Sequence, residues 1–303
     1  MKNCVTGASG ARLRLIVSMV LFGTIGIFVR HIPLSSSIIA LVRGCVGMVF
    51  LLAVTCVKKQ KISWKAVKAN LLWLVLSGAF LGFNWILLFE SYRHTSVAVS
   101  TLCYYMAPIL VILASPLFLK EKLTARKLLC VLLALIGAVC ISGILGTGIQ
   151  SGSEVRGILL GLGAAVLYAG IMLLNKQVKG ISAYDKTIVQ LGISALVLLP
   201  YCLATVNPGE AVSSVSPSVL GLLLLVGIVH TGLTYYLYFG SMEYVSGQSV
   251  AIISYVDPVV AILVSVTLLR EPMGLAEAAG ALLILGAAVL SELPEKKKGV
   301  HHD

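Results

Sequence analysis

The sequence predicts an all-α polytopic membrane protein with ten transmembrane helices, arranged as two inverted five-helix repeats with cytoplasmic N- and C-termini. Three observations support this prediction: the hydrophobic composition, the distribution of basic residues, and an internal repeat. Of the 303 residues, 58% are hydrophobic and only 12% are charged, whereas a soluble domain carries about 25% charged residues. The chain therefore has too little polar surface to cover itself in water.

Ten apolar runs approach the ~20 residues that a helix needs to cross a bilayer. These predicted spans cover approximately residues 13–30, 36–57, 69–90, 96–118, 127–145, 157–175, 186–205, 218–239, 247–268 and 275–291. The first run resembles a signal peptide, but no A-x-A-like cleavage site follows it before Arg30, so we interpret it as a retained helix. None of the seven cysteines forms a C-x-x-C pair, so we expect neither a metal site nor a disulfide framework.

The basic residues predict the orientation of the chain in the membrane. With ten spans, 18 of the 23 Lys and Arg residues fall on the side of the N-terminus. Four lie on the opposite side (Arg30, Arg93, Arg156 and Arg270), and Arg43 lies within span 2. The positive-inside rule then places both termini in the cytoplasm, as in the plasma (inner) membrane of a bacterium. Because membrane topology explains the net charge of +11, we expect the lipid bilayer, and no nucleic acid, as a partner.

The chain repeats itself at an offset of about 150 residues. Without a gap, 82–121 aligns with 232–271, and the first two helices of each half align more weakly at an offset of about 147. Each half holds five helices, an odd number, so the second half should enter the membrane from the opposite face. The predicted halves are residues 1–146 and 150–296, followed by a basic cytoplasmic tail at 297–303. Inverted repeats of this kind are typical of secondary transporters.

Two related segments carry a resemblance to a known family. They are YYMAPILVILASPLFLKE at 104–121 and SYVDPVVAILVSVTLLRE at 254–271. Together with ALVRGCVG in span 2 and the glycine-rich ALIGAV and LILGAAV, they make the chain resemble the EamA family of the drug/metabolite transporter superfamily over nearly its whole length. The resemblance implies export or exchange of amino acids, metabolites, amines or drugs without ATP or another cofactor. The chain likewise has no G-x-x-x-x-G-K-[ST] motif for nucleotide binding.

Asp257 is the first candidate for substrate binding. It lies near the middle of span 9, where an ionised carboxylate costs several kcal/mol unless it is paired or faces water. We expect it to face a cavity, where it would bind a substrate amine or carry a proton. The alternative is that it caps backbone amides freed by Pro258. Tyr104 and Ser254 lie three residues before Ala107 and Asp257, the counterparts in the repeat, and should share their helix faces.

Other candidates lie at a comparable depth in other spans. Asn84 and Trp85 of span 3, Tyr168 of span 6, and His230 and Tyr235 of span 8 either line the cavity or pack in the core. Histidine titrates near neutral pH, so His230 could bind a coupling proton; the alternative is a neutral, hydrogen-bonded core histidine.

Three residues are candidates for hinge or gating roles. Pro108 and Pro258 each remove a helical hydrogen bond in mid-span, which predicts a hinge or a fixed kink in spans 4 and 9. For Arg43 we expect a structural or gating role, the alternatives being pairing with Asp257, with Glu90 or with a substrate carboxylate. Gly280 and Gly286 could pack within the fold or at a homodimer seam.

These features favour a secondary transporter that exports or exchanges a small-molecule metabolite, such as an amino acid, an amino-acid derivative or an amine, by alternating access. A nucleotide-sugar or phosphate-ester carrier would need a cluster of basic side chains, and Arg43 is the only one we place within a span. A membrane-embedded enzyme should show a metal-ligand pair or paired carboxylates, which we do not find in the sequence. A non-transporting membrane sensor should carry a soluble output domain.

Overall fold

The computed structural model describes residues 2–29, 31–94, 100, 103–141, 152–206, 215–268 and 275–292. In these ranges all regular structure is helical, which confirms the all-α prediction. The helices are α1 (Lys2–Val29), α2 (Ser36–Val57), α3 (Trp64–Ala69), α4 (Leu71–His94), α5 (Ala107–Phe118), α6 (Ala125–Ile141), α7 (Gly152–Gln177), α8 (Ala183–Thr205), α9 (Pro217–Gly227), α10 (Thr234–Ser241), α11 (Gly247–Ile253), α12 (Val256–Leu268) and α13 (Leu275–Glu292). A π-helical turn, Ile228–Leu233, joins α9 to α10.

Six of the ten predicted spans are long and apolar enough, within the described ranges, to cross a membrane. They are Ser9–Val29, Ser36–Val57, Leu71–His94, Val155–Gln177, Ala183–Thr205 and Pro217–Ser241. The other four predicted spans coincide with the shorter helices α5, α6, α11 with α12, and α13. The chain is thus a polytopic membrane protein, while the count of ten spans and the side of the termini stay predictions.

Burial in this bundle follows the pattern expected for a protein surrounded by lipid. Large apolar side chains face outward, such as Leu117, which is 80% exposed, and Leu196, which is 70% exposed. Polar side chains such as Asn84, Gln190 and Thr231 are fully buried. Polar groups inside a membrane bundle find partners on neighbouring helices, so this polar interior marks where the helices meet.

Serine caps define the start of several helices. Ser35, Ser63, Ser182, Ser216 and Ser246 each accept a hydrogen bond from the N–H three residues later. A side-chain oxygen at this position satisfies one of the free N–H groups of the first turn. The bounds of α2 agree with the predicted span of 36–57, because Ser35 ends the preceding loop.

Helix packing follows the repeat. Helix α4 packs on α7 and α8, and the corresponding segment of the second half, α9 to α10, packs on α1 and α2. Helix α1 packs on α12, just as α7 packs on α5. Two further contacts join counterparts directly: α2 with α8, and α6 with α13. In addition, α5 of span 4 packs on α11 of span 9. The corresponding helix neighbours are therefore the same in the two halves.

Two glycines bring α4 close to α8. A Cβ atom on Gly78 would lie 3.0 Å from the Gln190 carbonyl oxygen, and one on Gly82 would lie 2.9 Å from the Ser194 carbonyl oxygen. Both distances are shorter than an ordinary van der Waals contact, so only glycine fits at these two positions without a shift of the backbone.

Two glycines of the second half make the corresponding contacts with α2. A Cβ atom on Gly227 would lie 3.5 Å from Cα of Arg43, and one on Gly232 would lie 3.0 Å from the Gly47 carbonyl oxygen. At the offset of 147 residues, Arg43 and Gly47 are the counterparts of the two α8 residues that approach Gly78 and Gly82. The same helix crossing is therefore built twice.

Spans 4 and 9 are both interrupted just before their prolines. Helix α5 begins at Ala107 and helix α12 begins at Val256, so Pro108 and Pro258 lie in the first turn of a new helix. At the two breaks, the Tyr255 hydroxyl donates a hydrogen bond of 2.8 Å to the Tyr105 carbonyl oxygen. Their ring centroids are 6.3 Å apart. These tyrosines are counterparts in the repeat, so the two broken helices meet at equivalent points.

Contacts at the ends of the helices join segments that the predicted topology places on the same side of the membrane. The Glu121 carboxylate accepts hydrogen bonds from the backbone N–H groups of Gly247, at 2.7 Å, and Gln248, at 3.2 Å, at the start of α11. Lys58 donates a hydrogen bond of 2.8 Å to the Tyr184 hydroxyl, and this bond raises the pKa of Lys58. All of these residues belong to the predicted cytoplasmic side.

Of the two glycines predicted to pack within the fold or at a homodimer seam, one packs within the fold. A Cβ atom on Gly137 of α6 would lie 2.6 Å from the Gly280 carbonyl oxygen, so Gly280 packs within the chain. Gly286 has open space around it and is exposed. The homodimer stays a prediction.

Candidate functional site

Side chains from α2, α4, α7, α10 and α12, and from the segment before α5, converge in the interior of the bundle. We call them the central cluster. They are Arg43, Asn84, Trp85, Tyr104, Tyr168, Tyr235, Tyr238 and Asp257. Seven of the eight are predicted site residues, and Tyr238 is the one that was not predicted.

Asp257 supplies the carboxylate of the cluster. It lies in the first turn of α12 and is half-buried. Its backbone N–H donates to the Ser254 carbonyl oxygen at 3.3 Å. Among the described residues, its carboxylate forms no hydrogen bond or ion pair, so it does not cap the broken helix. Its charge acts electrostatically on the Tyr105 hydroxyl and, less strongly, on the hydroxyls of Tyr104 and Tyr168.

Tyr104 and Tyr168 form a stacked aromatic pair in the central cluster. Their rings stack at a centroid distance of 5.1 Å and an interplanar angle of 13°. The Tyr104 hydroxyl donates to Asn84 Oδ1 at 3.4 Å, while the Asn84 amide nitrogen donates to the Ala164 carbonyl oxygen at 2.6 Å. The Tyr168 hydroxyl is 2.9 Å from the Tyr238 hydroxyl. These bonds hold both rings in fixed orientations.

Arg43 supplies the cation of the cluster. Its guanidinium carbon lies 4.3 Å from the centroid of the Trp85 ring, a cation–π contact. Its Nε is buried without a hydrogen-bond partner. In the part of the chain that the structure describes, no carboxylate pairs with Arg43, and Glu90 instead forms an ion pair with Arg93 at 3.0 Å. Two of the pairings considered for Arg43, with Asp257 and with Glu90, are therefore not formed.

Tyr235 connects the two charged residues. Its ring packs 6.1 Å from Trp85 and 5.1 Å from Phe22. It interacts electrostatically with both Arg43 and Asp257. The cluster thus holds one cation and one carboxylate, separated by aromatic side chains and not paired with each other.

Two predicted site residues remain. The Ser254 hydroxyl donates to the Val250 carbonyl oxygen at 2.8 Å and is also a hydrogen-bond partner of the Tyr238 hydroxyl, so Ser254 borders the central cluster. His230 lies in the π-helical turn, where its Nε2 is 3.1 Å from the Thr24 hydroxyl oxygen. Pro108 and Pro258 are buried at the helix breaks described above.

Lys186 shows that the expectation of a single basic residue within the spans is wrong. Helix α8 begins at Ala183, three residues earlier than predicted, and Lys186 is only 3% exposed. Its ammonium donates to the Phe239 carbonyl oxygen at 2.8 Å. Lys176 of α7 similarly donates to the Met242 carbonyl oxygen at 2.8 Å. Both lysines donate to carbonyl oxygens at the end of α10 or in the chain that follows it. In the sequence, Ser182 was the signal that α8 begins before Lys186, because it caps the first turn of that helix.

A small cavity lies beside Lys186 and is distinct from the central cluster. It has a volume of about 170 Å³, and its polar lining includes Arg14, Lys186, Tyr236 and Glu243. No group of three or more His, Cys, Asp or Glu residues in the described ranges could hold a metal ion.

Comparison with known proteins identifies relatives over almost the whole chain. Residues 11–143 and 155–293 each match the model of the EamA-like transporter family. The uncharacterized transporter YxxF of Bacillus subtilis (strain 168) is 31% identical over 287 residues, which cover 93% of this chain and 89% of that protein. An uncharacterized transporter of Archaeoglobus fulgidus is 26% identical over 279 residues, covering 91% and 94%. A solved crystal structure has the same fold, with a TM-score of 0.77 at 18% identity over 93% of this chain and 97% of the other.

Proposed function

The chain belongs to the EamA-like transporter family, and we propose that it is a secondary transporter that exports or exchanges a small amine-bearing metabolite. The observation that carries this proposal is the unpaired carboxylate of Asp257 among the tyrosines of the central cluster. Amino acids, amino-acid derivatives and amines belong to this substrate class.

An ammonium group fits the surroundings of Asp257. A carboxylate inside a membrane bundle is costly unless a cation or water compensates it. The rings of Tyr104 and Tyr168 add a cation–π surface next to that carboxylate. A substrate ammonium would therefore gain an ion pair and an aromatic contact at one place.

Arg43 extends the proposal to substrates with a carboxylate. Its guanidinium is held on Trp85 with a buried, unpartnered Nε, so it is oriented but not neutralised. An amino acid could place its carboxylate on Arg43 and its ammonium on Asp257. A substrate with two or more negative charges would need further cations, and no other basic side chain belongs to the central cluster, so a phosphate-ester carrier is disfavoured.

Alternating access of two inverted repeats is the proposed mechanism. The repeated glycine crossings and the contact between Tyr105 and Tyr255 support two halves, 1–146 and 150–296, related by a pseudo-twofold axis. The two separate matches to the family model support the same division. Because the halves are alike, leaning one against the other would open the central cluster first to one side and then to the other.

The proposed setting is the plasma membrane of a bacterium, with both termini in the cytoplasm. The basic loops support this orientation. A relative from the bacterium Bacillus subtilis supports a bacterial origin of the chain. The loop contacts of Glu121 and Lys58 also join segments of one side, as this topology requires.

Efflux from proteoliposomes tests the function. A panel of radiolabelled amino acids, amines and quaternary ammonium compounds is compared for the wild type, Asp257→Asn and Glu243→Gln. Hydrogen bonds to charged groups are worth about 1.5–3 kcal/mol, so Asp257→Asn should slow efflux of an amine-bearing solute roughly 10- to 100-fold. Glu243→Gln removes an exposed carboxylate outside the cluster and should transport normally.

Two results would contradict the proposal. If the wild type moves no member of the panel, the substrate class is wrong. If Asp257→Asn transports as well as the wild type while eluting as a folded protein, the carboxylate does not bind the substrate.

A further inference from the structure

The small cavity beside Lys186 lies where the ends of three helices meet. Helix α1 contributes Arg14, the start of α8 contributes Ser182 and Lys186, and α10 contributes Tyr236. In the predicted topology, spans 1 and 7 begin and span 8 ends at the cytoplasmic surface, within about one helical turn of these residues. This topology puts the cavity at the level of the cytoplasmic lipid headgroups.

Lys186 offers hydrogen-bond donors to the cavity. An ammonium group has three N–H donors, and the Phe239 carbonyl oxygen accepts one of them at 2.8 Å. The neighbouring Lys176, by contrast, donates to two carbonyl oxygens, those of Met242 at 2.8 Å and Val245 at 2.6 Å. Two N–H donors of Lys186 therefore have no acceptor within the described residues, although its side chain is almost fully buried.

Two further cations lie at the edge of the cavity. Arg14 is exposed, and its Nε donates to the Gly10 carbonyl oxygen at 3.3 Å, so the side chain turns back toward the start of α1. Lys58, like Arg14, acts electrostatically on Tyr236 of the lining. The lining contains a single carboxylate, that of Glu243, which forms no ion pair within the described ranges. The cations outnumber it, so the cavity attracts anions.

The repeat shows that the fold does not require a cation at this position. At the offset of 147 residues, the counterpart of Lys186 in the first half is Ile39, which packs in the apolar cluster around Val219. Asp185, beside the lysine, accepts a hydrogen bond from the Ser63 backbone N–H at 3.2 Å and forms no ion pair with it. A charge inside a membrane bundle is costly and is typical of a functional site.

Apolar side chains continue from the cavity toward the membrane interior. On α1, Val17 lies one turn deeper than Arg14 on the same helix face and is exposed. On span 8, Leu237 lines the cavity, and Leu233, one turn deeper, is exposed. Helices α1 and α10 pack against each other. A ligand with its anionic group in the cavity can therefore extend an acyl chain over both helices.

We propose that this cavity binds the phosphate group of an anionic phospholipid of the cytoplasmic leaflet. Basic pockets between transmembrane helices on the cytoplasmic side are typical binding sites for such headgroups. The volume of about 170 Å³ equals that of about five or six water molecules at about 30 Å³ each. This space admits a phosphate group and leaves the acyl chains outside, in the bilayer.

A lipid bound in this way joins the two halves of the chain. Arg14 belongs to the first half, whereas Lys186 and Tyr236 belong to the second. The phosphate oxygens accept hydrogen bonds from Lys186 and Arg14, so a single headgroup holds α1 against α8 and α10 at the cytoplasmic side. Lipid binding here goes beyond the proposed function and does not depend on the transported substrate.

Native mass spectrometry tests the lipid specificity. Delipidated wild-type protein is titrated in micelles with phosphatidylglycerol and with phosphatidylcholine, which has the same phosphate but also a cationic choline. Because Arg14 and Lys186 attract the net negative charge and repel the choline, phosphatidylglycerol should bind about fivefold more tightly or better. Equal binding of the two lipids would overturn the proposal.

Variants that remove one positive charge locate the binding. Arg14→Gln should weaken phosphatidylglycerol binding about fivefold, the effect of one basic side chain near an anionic headgroup. Lys186→Gln should weaken it about tenfold or more, because a buried charged hydrogen bond is stronger. The matched control Lys61→Gln removes an exposed lysine of the same side, outside the cavity, and should stay within about twofold of the wild type because salt screens exposed charges.

Each result of these variants bears on the site. If Arg14→Gln binds phosphatidylglycerol as tightly as the wild type, or if Lys61→Gln weakens binding as much as Arg14→Gln does, the lipid is not held in this cavity. Arg14 is exposed, so Arg14→Gln decides the matter even if Lys186→Gln does not fold.

Soluble phosphates distinguish a lipid from a free anion. Glycerophosphate and inorganic phosphate carry the anionic group without acyl chains, and neither should displace phosphatidylglycerol at equal concentration. If either binds the wild type as tightly as phosphatidylglycerol does and Arg14→Gln weakens that binding, the cavity takes a soluble phosphate and the lipid proposal is wrong. These measurements involve no transport, so failure of the lipid site and failure of the proposed function are told apart.

Discussion

Adding one methyl group at Gly232 should destabilise the crossing between α2 and the π-helical turn. A Cβ atom there would lie 2.9 Å from Cδ1 of Phe50 and 3.0 Å from the Gly47 carbonyl oxygen, whereas ordinary contact begins at 3.4 Å. The Phe50 ring can rotate away, but the backbone at Gly47 cannot. The two helices would have to separate by about 0.4 Å, the difference between 3.4 and 3.0 Å.

The size of the effect follows from two opposing contributions. Overpacking a well-packed interface costs about 1–3 kcal/mol. Replacing glycine by alanine in a helix gains about 0.5–1 kcal/mol. The free energy of unfolding of Gly232→Ala should therefore fall by roughly 1–2 kcal/mol. Gly82→Ala should behave alike, because its Cβ would lie 2.9 Å from the Ser194 carbonyl oxygen.

Gly221→Ala is the matched control in the same span. Nothing lies within 4 Å of a Cβ atom at this position, so only the gain of about 0.5–1 kcal/mol applies. The assay is thermal unfolding of the purified variants in detergent, followed by the loss of the monodisperse peak after heating. Gly232→Ala should melt below the wild type and Gly221→Ala at or above it. Equal melting temperatures for the two variants would refute the close helix approach.

Three further predictions concern a loop contact, the topology and the binding site. Glu121→Gln should lower the free energy of unfolding by about 1–2 kcal/mol, because two backbone N–H groups lose a charged acceptor; an unchanged melting curve would contradict this. Cys56, which is exposed at the predicted cytoplasmic end of span 2, should react with an impermeant maleimide only in inside-out vesicles, and labelling from the outside would reverse the topology. Arg43→Lys keeps the charge but loses the planar face on Trp85, so KM should rise for amino acids and stay unchanged for simple amines; an equal rise for both would remove Arg43 from carboxylate binding.

Much of the helix framework could be predicted from the sequence. The bounds of α2 follow from an apolar run between Ser35 and Lys58, and the predicted span agrees with the helix. The repeat offset also predicts which helices face each other, because the glycines that approach α2 and α8 are counterparts. The apolar run and the repeat can both be read from the sequence alone, so the helix bounds and the facing helices could be predicted.

The details of the candidate site were less predictable. The π-helical turn was not predicted. Gly227 and Gly232 are one residue farther apart in the sequence than Gly78 and Gly82, which indicates an insertion. The two glycine pairs can be matched only once the helices that they contact, α2 and α8, are known. We counted Lys186, the first residue of predicted span 7, among the basic residues on the side of the N-terminus, whereas the Phe239 carbonyl oxygen at the end of α10 accepts a hydrogen bond from its ammonium inside the fold. Tyr238 entered the cluster through a hydroxyl contact that no pattern in the sequence reveals.

A thermodynamic cycle between Asp257 and the substrate ammonium tests the central claim most directly. Binding is measured for the wild type and Asp257→Asn, each with the transported amine and with its analogue in which a methyl group replaces the ammonium. If the two groups touch, each single change should cost about 1.5–3 kcal/mol, and the second change should then cost little more. Additive losses would show that the ammonium binds elsewhere in the protein and would contradict the account.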